Sequence, residues 1–166
     1  MSAMKTIAIV GATEKTGKII ADSFSSLPYR LLLVSNNLEQ LQMLTKNILA
    51  KKNAAEIDSI ECVKEGCWEA DIIILAVPSC EEKEVAEKMK EVSTQKTVVA
   101  VYQGFDSFKD LHKILPYSKL VKVSGVLEHE ILISGEDNAV NEEIRSIFNQ
   151  AGFCVKAVAD LQASNK

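Results

Sequence analysis

Seven residues near the N-terminus combine types and spacing that could do specific chemistry. Gly11-Ala12-Thr13-Glu14-Lys15-Thr16-Gly17 directly follows the apolar run Ile7-Ala8-Ile9-Val10. A tight glycine turn between a buried strand and a helix presents the helix's first unpaired N–H groups and the positive end of its dipole, a natural seat for an anion such as a pyrophosphate. The GxxxxxG spacing matches the outer glycines of a GxxGxxG turn. Gly11 would allow the sharp bend and Gly17 the close approach of helix to sheet. Glu14 occupies the middle-glycine position. Two like charges about 4 Å apart repel by roughly 1 to 4 kcal/mol, depending on the effective dielectric. A Glu14 carboxylate turned toward a phosphate therefore weakens binding. Turned to solvent, it is a first-turn acid favoured by the helix dipole. Lys15 offers a compensating phosphate contact or stays solvated, and Thr16 adds a hydroxyl.

Two other segments belong with this turn. RLLLVS ends in Ser35-Asn36-Asn37, where a dinucleotide-binding domain keeps either a carboxylate for the ribose 2′-OH of NAD or cationic and polar groups for the 2′-phosphate of NADP. No carboxylate stands there, and Arg30 begins the strand rather than ending it. NADP is therefore expected over NAD, with NAD possible. DIIILAV ends in Ala76-Val77-Pro78, a small apolar floor suited to a ribose and nicotinamide. Cys80 follows at an expected helix start, where a thiol can become acidic, although an inert thiol is the plainer reading. Trp68 reads as a packing residue. No acid–base pair is legible, and none is required of a protein whose cofactor carries the hydride. Glu128-His129-Glu130 reads as a solvated turn.

Positioning these segments requires strands that alternate with helices. Buried strands are expected at Thr6–Val10, Arg30–Ser35, Asp71–Val77 and Thr97–Tyr102, with a weaker one at Ile57–Val63. Later strands are expected at Leu120–Val123, Glu130–Ser134 and Phe153–Val158. Helical spacing of apolar residues marks Lys15–Ser26, Leu38–Ile48, Glu81–Val92, Asp106–Leu115 and the stretch carrying Val140, Ile144, Ile147, Phe148 and Ala151. Lys64–Ala70 fits one or two helical turns. Gly152 is expected to end the last helix in a left-handed conformation. This alternation implies βαβ units, right-handed crossovers and an α/β fold: a Rossmann-like, doubly wound, mostly parallel sheet in three αβα layers. In such a sheet ligands lie outside the carboxyl ends of the strands. The segments to watch are thus 11–17, 35–37, 76–80 and 103–105.

Composition narrows the function further. The chain has 166 residues, 47% hydrophobic and 25% charged, with a net charge of −4. That suits one domain over 1–166 and a core able to fold alone. The absence of any basic stripe argues against a nucleic-acid partner, and no apolar run reaches the length of a membrane span. Met1-Ser2-Ala3-Met4-Lys5 enters a strand at once, so no signal peptide is expected and Met4 is a candidate start. Cys62, Cys67, Cys80 and Cys154 match no zinc or redox spacing. They read as reduced, largely buried thiols of a cytoplasmic protein. His112 and His129 form no ligand set, so no metal is expected.

In order along the chain, these segments resemble the NADP oxidoreductases that reduce the deazaflavin coenzyme F420. GATEKTG is similar to that family's Gly-Gly-Thr-Gly-x-x-Gly turn. LLLVSNN is similar to its second strand, which ends in Ser-Arg around the 2′-phosphate. EADIIILAVP resembles its fourth strand, and EILISGEDNAVNEEIRSIFNQAGFCVKAV its closing strand–helix–strand. The resemblance implies cofactor contacts at Gly11, Thr13, Lys15, Thr16, Ser35, Asn36, Ala76, Val77 and Pro78, and a dimer by analogy. Two positions depart from the family pattern: Glu14 replaces a glycine, and Asn36 replaces the arginine at the 2′-phosphate. GATEKTG also resembles the GATGxTG turn of atypical short-chain dehydrogenase-like proteins, which do not usually carry the AVP strand end. Two functions follow as expectations. One is an NADP-dependent oxidoreductase moving hydride to or from a small acceptor. The other is a non-catalytic dinucleotide-binding or regulatory module. Cofactor binding would fall to Gly11, Thr13, Glu14, Lys15, Thr16, Gly17, Ser35, Asn36, Asn37, Ala76, Val77 and Pro78.

Overall fold

The computed structural model describes residues 4–51, 55–102 and 108–160. The chain runs β1 (Thr6–Val10), α1 (Lys15–Phe24), β2 (Arg30–Val34), α2 (Leu38–Leu49), β3 (Glu56–Ile60), α3 (Val63–Glu69) and β4 (Ile72–Leu75). It continues through α4 (Ser79–Met89), β5 (Thr97–Tyr102), α5 (Phe108–Ile114), β6 (Lys119–Ser124), β7 (Glu130–Gly135), α6 (Asn138–Gln150) and β8 (Cys154–Asp160). The strands form one sheet in the order β3-β2-β1-β4-β5-β6-β7-β8. From β3 to β6 every pairing is parallel. β7 runs antiparallel to β6, and β8 is parallel to β7. This is the Rossmann-like doubly wound order, with its reversal of winding between β1 and β4.

Strands β1, β2, β4 and β5 are buried along their whole length except for the first residue of β2. Helices cover both faces, which is why these strands read as nearly unbroken apolar runs rather than alternating ones. Ile7, Ile9, Leu31, Leu33, Ile72 and Ile74 point to a core shared with α1, α2 and α6. Ala8, Val10, Leu32, Val34, Ile73 and Leu75 point the other way, against α3, α4 and α5. The first face is closed by Phe24, Phe148 and Phe153, with successive ring centroids 5.2 and 5.3 Å apart in edge-on contact. Edge-on geometry sets the positive ring edge against the negative ring face.

Several expectations are corrected. Helix α1 ends at Phe24 rather than Ser26, because Leu27 N–H turns back to the Phe24 carbonyl and Pro28 follows. Helix α4 begins two residues early, at Ser79, with Pro78 as its cap residue, and closes in a single 3-10 turn at Lys90–Val92. Trp68 is not a packing residue, since it stands 69% exposed on α3. Of the four free cysteines only Cys67 is buried. Cys62 and Cys80 sit at or near helix starts and Cys154 opens the last strand, places where the chain meets solvent. Gly152 has φ +101°, the left-handed conformation expected at the end of α6. The segment 103–105 lies outside the described residues.

Candidate functional site

At the carboxyl edge of β1, Gly11 takes φ +87°, which a side chain would resist. The N–H groups of Gly11 and Ala12 both donate to the Val34 carbonyl, at 3.0 and 3.1 Å, so the turn is pinned to β2. A Cβ on Gly11 would lie 2.8 Å from the Ala76 carbonyl group, and one on Gly17 only 2.0 Å from the Gly11 oxygen. Both glycines are thus required by backbone packing alone. They bring the start of α1 down onto the ends of β1 and β4.

Glu14 is the cap residue of α1, not a first-turn acid, and its side chain makes no capping hydrogen bond. Its N–H closes the turn on the Gly11 carbonyl at 2.9 Å, and its carbonyl accepts the first helical bond from Lys18 at 2.8 Å. The opening N–H groups of α1 at Lys15, Thr16 and Gly17 therefore receive no cap from the residue best placed to give one. An uncapped helix start with no acid in its first turn is open to an external anion.

A cleft of about 650 Å³ opens beside this turn. Of the expected residues it is lined by Gly11, Thr13, Glu14, Ser35, Asn36 and Val77. Lys15 is exposed and Thr16 and Gly17 are buried, and none of the three lines it. Asn37 turns instead to cap α2, its Oδ1 accepting the Gln40 N–H at 3.2 Å. Ala76 is buried under Gly11, and Pro78 serves the start of α4. The hydroxyls expected to receive a phosphate are engaged with each other. Thr13 Oγ1 and Ser35 Oγ lie 2.7 Å apart, and Ser35 Oγ also accepts the Asn37 N–H at 3.1 Å.

The far wall was not read from the sequence. Glu61 enters from the end of β3, Lys64 from the first turn of α3, and Glu81, Glu84, Glu87, Lys88 and Glu91 from α4 and its closing turn. The residues of α4 and its closing turn step by three and four positions along one helical face, a polar periodicity that the sequence does carry. Each lysine of the wall already has an acidic neighbour. Lys64 Nζ is 3.0 Å from Glu91, and Lys88 Nζ is 3.5 Å from Glu84. A titratable pair was also missed: the buried Tyr102 hydroxyl donates to the buried Glu82 carboxylate at 2.9 Å, at the end of β5. Neither residue lines the cleft. Among the described residues no group of three His, Cys, Asp or Glu side chains is placed to hold a metal ion. None of the described helices is long and apolar enough to cross a membrane.

The residues present fit a dinucleotide unevenly. The open start of α1, the strand-end position and the cleft volume suit a nucleotide diphosphate. The Glu14 carboxylate on the same wall opposes it. At the tip of β2 among the described residues there is no free cation to meet a 2′-phosphate, since Arg30 lies at the other end of the strand and pairs with Asp58 and Glu69.

Comparison with known proteins agrees with this geometry. The profile of the family described as NADP oxidoreductase, coenzyme F420-dependent, matches residues 6–104. No curated protein sequence matches the chain. Among solved structures, a candidate F420-dependent NADP reductase from Arthrobacter sp. FB24 superposes with a TM-score of 0.73 at 13% identity, covering 96% of this chain and 85% of that one. Pyrroline-5-carboxylate reductase from Coxiella burnetii superposes with a TM-score of 0.74 at 17% identity, covering 95% and 60%. The Plasmodium falciparum pyrroline carboxylate reductase, solved with NADP bound, gives 0.66 at 16% identity, covering 97% and 58%. The chain thus spans about three-fifths of the length of these two reductases. At such identities the likeness is one of fold.

Proposed function

This chain belongs to the NADP oxidoreductase family of the coenzyme F420-dependent type, and on that premise we propose that it moves hydride between a nicotinamide dinucleotide and a small-molecule acceptor. The observation that carries this reading is the cleft at the β1/β4 reversal, beside a helix start left uncapped by Glu14. The nicotinamide supplies the hydride when bound. The chain's own residues need only bind, orient and exclude water. Gly11 and Thr13 would face the diphosphate from the wall of the cleft, with the start of α1 beside them. Ser35 and Asn36 would face the adenosine ribose, and Val77 would support the nicotinamide side. The site forms within one domain spanning 1–166. The protein works in the cytoplasm as a homodimer, with its exposed Cys62, Cys80 and Cys154 kept reduced.

Glu14 favours a second reading, a dinucleotide-binding or regulatory module without turnover. Melting curves recorded with NADPH, with NADH and with neither test binding first. A rise with either nucleotide is expected, and no shift with both would sink the oxidoreductase reading. Oxidation of the reduced nicotinamide in the presence of deazaflavin and of small carbonyl compounds then separates the two. Binding without turnover on any acceptor favours the module.

A further inference from the structure

β2 and β3 run parallel with Val34 opposite Ile60, and the Ser35 N–H donates to the Ile60 carbonyl at 3.3 Å. The residue after Ile60 is Glu61, so its carboxylate leaves the sheet beside Ser35 and Asn36 and lines the same cleft. Glu61 is exposed and has no hydrogen bond or ion pair among the described residues. The end of β2 carries no carboxylate of its own. The adjacent strand supplies one at nearly the same place.

We propose that Glu61 is the specificity-determining residue of the cleft: its carboxylate takes the adenosine ribose hydroxyls, so that this chain selects NAD(H) over NADP(H). The inference rests on the dinucleotide reading above and concerns only which dinucleotide is preferred. Three observations support it. An ionised carboxylate is an acceptor-only group suited to a ribose diol and repels a phosphate at the same position. The Thr13 and Ser35 hydroxyls share a hydrogen bond that leaves one O–H donor between them, and the Asn37 side chain is held at the start of α2. Lys64, in the first turn of α3, is offset by Glu91, so Glu61, Lys64 and Glu91 together carry a net charge of −1. Asn36, at the tip of β2, brings no cation to this wall of the cleft.

Titration of the full chain with NADH and with NADPH, followed by nicotinamide fluorescence, tests this on the wild type, Glu61→Gln and Asn36→Arg. The wild type should bind NADH roughly ten-fold more tightly, the scale of one charged hydrogen bond gained or one charge repelled. Glu61→Gln should move the two affinities in opposite directions, weakening NADH and strengthening NADPH. A merely structural role would move both together. Asn36→Arg should strengthen NADPH and leave NADH nearly unchanged. Equal melting temperatures of the three proteins would show that exposed positions were altered without loss of fold. Wild-type protein that binds NADPH as tightly as NADH, or a Glu61→Gln protein whose two affinities shift in parallel, overturns the inference while leaving the oxidoreductase reading standing. Failure of the wild type to bind either nucleotide overturns both.

Discussion

Single side chains decide how this cleft treats a phosphate. Glu14 caps α1 by position and not by hydrogen bond, so its charge is left on the wall of the cleft. Replacing it with glycine removes at least ~1 kcal/mol of repulsion toward a bound diphosphate, which should tighten dinucleotide affinity roughly five-fold or more. Unchanged affinity in Glu14→Gly would mean that the carboxylate faces solvent. The thiols separate just as cleanly. Burial pushes Cys67 from an ordinary 9.0 up to about 12, with Lys96 opposing the shift. Because the folded value is the raised one, Cys67 stabilises the fold below pH 9.0, and that contribution is lost as the pH climbs toward about 12. Native protein should therefore expose three thiols to a thiol reagent, and four once denatured. Cys67→Ala should flatten the alkaline fall in stability measured by urea unfolding. A native count of four, or an unchanged alkaline slope, would contradict the burial.

Among the elements, α3 shows how a short helix is held. It spans seven residues, too few to be stable alone, and no side chain caps its start. Its last carbonyls are met from outside: Lys96 Nζ donates to the Cys67 carbonyl at 2.6 Å and the Trp68 carbonyl at 2.5 Å. Partial burial lowers the Lys96 pKa below 10.5, against the pull of Cys67 and Asp71. A lysine with a depressed folded value is penalised while charged, and the penalty lifts as the pH rises through that value toward 10.5. Lys96→Met should thus cost about 1 to 2 kcal/mol at neutral pH through the two lost carbonyl bonds. The gap from wild type should widen in the alkaline range, read from paired urea denaturations across that window. A variant as stable as wild type would remove Lys96 from the account of α3. Elements of this kind mark the limit of what the sequence makes legible. Strands such as Ile72–Leu75 were plain because burial on both faces demands an apolar run. The Lys96 cap was not, because it joins residues 28 and 29 positions apart. Half of the expected cleft residues line it because they follow strands. Lys15, Asn37 and Pro78 fall away because helix caps and solvent claim them.

At the scale of the molecule, the net charge of −4 is concentrated where a ligand should enter. Six glutamates line the cleft, at positions 14, 61, 81, 84, 87 and 91, against Lys64 and Lys88. A Rossmann-like frame normally draws a dinucleotide in by its helix dipole, and added salt weakens that attraction. Here the surrounding wall repels, so salt should act in the opposite sense. At about 0.1 M ionic strength, charges more than about 10 Å apart are largely screened from one another. Dinucleotide affinity should therefore rise as salt is added from low ionic strength. The rise should be steeper for NADPH than for NADH because NADPH carries the extra phosphate. Replacing both Glu84 and Glu87 with glutamine should flatten the dependence, as neither substitution removes a group from the glycine turn. Titrations of both nucleotides over a salt series provide the check. An affinity that falls with salt in the wild type would mean that the start of α1 outweighs the acidic wall, and that the glycine turn alone sets the electrostatics of the site.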